Sequence, residues 1–127
     1  YTVHTSNTFF QKGGAVYTYT AFSPEKEQEV RAALEREIEK VRTAGVTPDE
    51  VKKAVAYSVG EHEIGLQTRH ALVLAYARAV FSGAGVQLVQ KYSDAIRAVT
   101  PDMVKAAAVK YLDPESLRVV AVRGEKR

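Results

Sequence analysis

Residues 92–122 read YSDAIRAVTPDMVKAAAVKYLDPESLRVVAV, and the order of elements in that run decides the fold. Tyr92, Ile96 and Val99 recur at helical spacing, so the run opens inside an amphipathic helix. Thr100-Pro101-Asp102 then restarts the chain. It places a hydroxyl at the N-cap, proline at the first helical position and an acid against the positive end of the helix dipole. The helix that follows, Pro101 to Tyr111, is short and alanine-rich and can pack closely. Asp113-Pro114 is a turn, and SLRVVAVR, residues 116–123, reads as a final strand.

Working outward, the same start chemistry recurs at Ser23-Pro24-Glu25 and at Thr47-Pro48-Asp49, where Thr47 and Glu50 add a capping box. The first helix carries Val30, Leu34, Ile38 and Val41 on one face and ends at Gly45, a natural residue just past a helix C-terminus. Glu27/Arg31, Glu37/Lys40 and Glu39/Arg42 are spaced to pair on its outer face. The second helix, from Pro48, shows Val51, Val55 and Val59. Gln67 to Phe81 forms the third; its centre, Ala71 to Val80, is apolar on nearly all sides except Arg78 and reads as a buried helix. Ser82-Gly83-Ala84-Gly85 breaks it, and a fourth helix carries Leu88, Val89, Tyr92, Ile96 and Val99. Upstream, YTVHTSNTFF and AVYTYTAF read as two strands joined by the turn QKGG. The order is ββ–ααααα–β, which predicts an α+β fold with helices packed on one face of an antiparallel sheet. Residues 1–127 read as a single domain, with no internal repeat or low-complexity tract.

The bulk numbers exclude several classes. A chain of 127 residues with 46% hydrophobic and 26% charged content is an ordinary soluble globular composition. The net charge of +3 is interleaved, as in EKEQEVRAALEREIEKVR, and not gathered into the basic stripe of a nucleic-acid binder. The short basic tail RGEKR reads as a frayed terminus. With no cysteine, disulfides and thiolate metal sites are excluded. No apolar run approaches the ~20 residues of a membrane span. The chain opens at Tyr1 directly in a strand pattern, which suggests a piece of a longer polypeptide. The compartment is therefore open between bacterial-type cytoplasm and periplasm.

EHEIGLQTRH, residues 61–70, holds two of the three histidines beside two glutamates and raises the question of a metal. Zinc-binding histidines on a helix usually sit at i and i+4. His62 and His70 are eight apart, or about 12 Å along a continuous helix, too far for one ion. Gly65 could fold one toward the other, but the spacing gives no reason to expect a site. The plainer reading makes His62 a half-buried, hydrogen-bonded extension of the Val51/Val55/Val59 stripe, with Glu61, Glu63 and Arg69 solvated. His4 belongs to a strand. There is no GxSxG, phosphate loop or cysteine nucleophile. The seven tyrosines read as packing residues with hydrogen-bonded hydroxyls.

The succession GGAVYTYTAFSPEK, GVTPDEVKKA and YSDAIRAVTPDMVKAAAVKYLDPESLRVVAV resembles the C-terminal domain of the pitrilysin/insulinase family of zinc peptidases across essentially the whole chain. The resemblance implies a LuxS/mitochondrial-processing-peptidase-like metallohydrolase fold, in which homologous halves enclose a chamber for extended peptides. One half of such enzymes carries zinc through H-x-x-E-H; this sequence has no such motif and looks like the non-metal half, with the first strand or strands of its domain missing. The other half supplies an Arg and a Tyr in a phrase like R-x-x-x-G-L-x-Y. Tyr1 stands where that Tyr would fall, while the Arg and the Gly-Leu are not in the chain. The resemblance implies that Tyr1 donates a hydrogen bond to the scissile carbonyl oxygen as charge grows on it. A solvent-facing strand residue is the competing reading of Tyr1.

The resemblance therefore implies a substrate-binding half of a zinc endopeptidase that is inactive alone. It holds no cofactor in this chain; zinc is expected in a partner half on the same polypeptide or a separate subunit, and peptides are the substrates. Two alternatives stay open: a catalytically silent structural or assembly subunit of the same family, and an unrelated α+β binding module.

Overall fold

A computed structural model describes residues 2–10 and 12–123. These carry two strands, β1 (Val3–Phe10) and β2 (Gly13–Thr20), and five helices: α1 (Glu27–Thr43), α2 (Pro48–Gly65), α3 (Arg69–Phe81), α4 (Gln87–Arg97) and α5 (Pro101–Tyr111). Single 3₁₀ turns precede α1 and follow α5. The class is α+β, with one antiparallel two-stranded sheet. Thr5 and Thr18 share a hydroxyl hydrogen bond of 2.9 Å across the strands. Gly13 and Gly14 belong to β2 and not to the turn. A side chain at Gly14 would place its Cβ 2.7 Å from the Thr8 carbonyl oxygen, so β2 can approach β1 there only as glycine.

The residues fall into two compact units. The first contains residues 2–4, 19–46 and 101–123, and within it α1 packs on α5. Val30, Leu34, Ile38 and Val41 are half-buried along α1, as their spacing predicts. The helix closes through Gly45, whose φ of 78° is costly for any residue with a Cβ and whose N–H donates to the Val41 carbonyl. Lys105 of α5 lies against that glycine. The second unit contains residues 5–18 and 47–100, where α2 and α3 each pack on α4.

α2 starts where the sequence places it. Thr47 Oγ1 accepts from the Glu50 N–H at 3.2 Å, and the Thr47 N–H donates to the Glu50 carboxylate at 2.7 Å, a complete capping box. At Ser23-Pro24 the same start chemistry opens only one 3₁₀ turn, and the α-helix proper begins at Glu27.

Three expectations need correction. Residues 117–123 follow the last 3₁₀ turn but enter no ladder, so the final strand is absent from the order observed among the described residues. Leu117 has strand-like dihedrals of −61° and 134°. Propensity is present, but a strand also needs a neighbour to take its N–H and C=O groups. α3 is not buried either: Ala79 is covered, while Val73, Val80 and Phe81 are exposed. The Glu27/Arg31 pair is replaced by others: Arg31 bonds Glu35 at 2.9 Å. The Glu37/Lys40 and Glu39/Arg42 pairs form, at 3.8 and 2.8 Å.

Both units are thinly cored. Val51, Val59, Ala79 and Ala108 are the buried apolar residues among those described, and the accessible surface is 10671 Å². Two separate globules of half this mass would together expose about 8,100 Å². Apolar surface is left over, both on the strands and helices and on residues 117–122, where Val120 and Val122 are 87% and 95% exposed.

Replacing the Thr47 hydroxyl (Thr47→Ala) should destabilise α2 by about 1 kcal/mol, read as earlier loss of helical ellipticity in urea. Thr47→Ser should restore most of it; equal midpoints for all three proteins would contradict the cap.

Candidate functional site

The stretch EHEIGLQTRH spans the end of α2, a turn and the start of α3. Leu66 and Gln67 turn the chain, their N–H groups donating to the carbonyls of His62 and Ile64. Thr68 then caps α3, its hydroxyl accepting from the Ala71 N–H at 3.1 Å. The stretch is the joint between two helices, with each end hydrogen-bonded as a helix terminus.

His62 is half-buried and extends the Val51/Val55/Val59 stripe, as expected. Its environment differs from the expectation of a hydrogen bond. The imidazole lies against the Tyr92 ring of α4, with centroids 4.2 Å apart and planes tilted by 30°. Beside it Glu63 accepts from Arg97 at 3.2 Å, and Arg97 also reaches Asp94 at 3.5 Å, so the end of α2 is clamped to α4 by a stack and an ion pair. Glu63 is thus paired instead of simply solvated. Glu61 accepts from the Tyr57 hydroxyl at 3.0 Å, and this bond with the adjacent negative charge raises the phenol above its usual range. His70 is exposed on α3, and His4 is exposed on β1.

These donors do not fit a zinc ion. His62 lies against the Tyr92 ring, and no group of three or more His, Asp or Glu side chains comes together among the described residues. No chemical step of a resident metal can be derived from them. Tyr1, the one residue to which the family resemblance gives a catalytic role, lies outside the described residues. The remaining tyrosines do not converge on a pocket. Tyr57, Tyr17, Tyr19 and Tyr111 are exposed, and only Tyr92 and Tyr76 are half-buried.

The contact that sequence reading missed joins Arg123 to the start of α1 within the first unit. Arg123, read as part of a frayed tail, grips Glu27 at the start of α1 through two nitrogens, at 2.8 and 2.5 Å. The Arg123 hydrogen bond and charge hold the Glu27 carboxyl below the usual carboxylate range, with Arg31 adding a weaker pull. The partners are 96 residues apart, so no local spacing could have signalled the pair. The contact anchors residues 117–123, which have no ladder to hold them.

The architecture defines a class: an α+β domain. A crystal structure of the inactive peptidase domain of a protein assigned as a zinc protease, from Bordetella parapertussis, matches with a TM-score of 0.77. The match covers 98% of this chain and 68% of that one at 16% identity, so what the two share is the fold. No family model and no curated protein matches the sequence. Among the described residues, no helix is long and apolar enough to cross a membrane.

Isothermal titration of the chain with zinc should show no stoichiometric binding; one equivalent bound, and lost on replacing His62 and His70, would contradict the donor geometry. The Glu27 pair makes a pH prediction. A carboxyl lowered in the folded state adds stability at pH values above its unfolded value of about 4.3, and loses it as pH falls through the lower folded value. By carboxyl-resolved NMR, Glu27 should titrate below about 4.3 in the native chain and near it in Arg123→Ala. Coincident titrations would show that the pair does not form in solution.

Proposed function

We propose that the chain is the non-catalytic, substrate-binding half of a zinc endopeptidase of the pitrilysin/insulinase type, working with a metal-bearing homologous half on the same polypeptide or a separate subunit. The observation that carries this reading is the fold likeness, over 98% of the chain, to an inactive peptidase domain. The sequence supports it, because H-x-x-E-H is absent while the ordered phrases of that family's C-terminal domain are present. The helix caps, the Glu63–Arg97 clamp and the Glu27–Arg123 grip are devices of scaffold rigidity, and a positioning half needs these more than it needs nucleophiles.

An extended peptide is a suitable ligand for such a surface. Within residues 5–18, β1 and β2 pair only with each other among the described residues, so each has an outer edge able to receive a further strand. Tyr1 is proposed to donate its phenol hydrogen bond to the substrate carbonyl oxygen. Losing one donor of this kind typically costs about 10²–10³ in rate.

The test combines the chain, in its full polypeptide context, with the metal-bearing half and follows a fluorogenic peptide. Cleavage is expected only with both halves present, and Tyr1→Phe should lower kcat more than it raises KM. Full activity of the metal-bearing half alone would overturn the peptide-binding role and leave a structural subunit. An unchanged kcat in Tyr1→Phe would remove Tyr1 from the site.

A further inference from the structure

We draw no further inference here: the strongest candidate, the exposed apolar surface patch of residues 119–122 that follows the last 3₁₀ turn, enters no ladder among the described residues, and nothing in the structure shows what covers it.

Discussion

An apolar helix gains stability only where it is covered, and of α3, which also carries Arg69, His70 and Arg78, only Ala79 is buried. This constraint organises the molecule more than any hydrogen bond does. Transfer of apolar surface out of water is worth roughly 25 cal/mol per Å², and Val73, Val80 and Phe81, all exposed, leave much of that term ungained in the chain by itself. The two units are accordingly held by edges and ends as much as by cores. α2 is fixed at its start by the capping box and at its finish by the His62–Tyr92 stack and the Glu63–Arg97 pair. α1 is held on α5 by a half-buried aliphatic stripe and gripped at its start by Arg123.

Stability in each unit is distributed over many small local terms. Exposed ion pairs and capping boxes contribute about 1 kcal/mol or less apiece. They specify geometry well and add little net stability. The likeness to the inactive peptidase domain, at 16% identity, is a likeness of fold.

How much of this was legible in the sequence follows the range of the interactions involved. Helix starts are local, and Thr47-Pro48-Asp49-Glu50 and Thr100-Pro101 placed α2 and α5 at their observed first residues. The third helix was expected from Gln67 and begins at Arg69, because the Thr68 hydroxyl, which the sequence reading passed over, caps it. Burial of α3 and the final strand were misread because each depends on what lies alongside. A run such as SLRVVAVR carries strand preference but cannot say whether a neighbouring strand is present. Glu27 shows the same limit for charges: its helical neighbour Arg31 has the right spacing, yet Arg123 takes the carboxylate with better two-point geometry. For the site, the spacing of His62 and His70 gave no reason to expect an ordinary helical zinc pair, and the structure puts His62 on α2 and His70 on α3. The Tyr92 stack that occupies His62 could not be read, since it joins helices 30 residues apart in sequence.

The central proposal is that this chain contributes a peptide-holding surface to an enzyme whose metal lies in another half. It is tested most directly by photo-cross-linking a non-cleavable extended peptide within the assembled two-half enzyme and mapping the adducts. The account predicts cross-links on this chain, at the β1–β2 hairpin, alongside those on the metal-bearing half. Adducts confined to the metal-bearing half, with this chain present and bound, would contradict it.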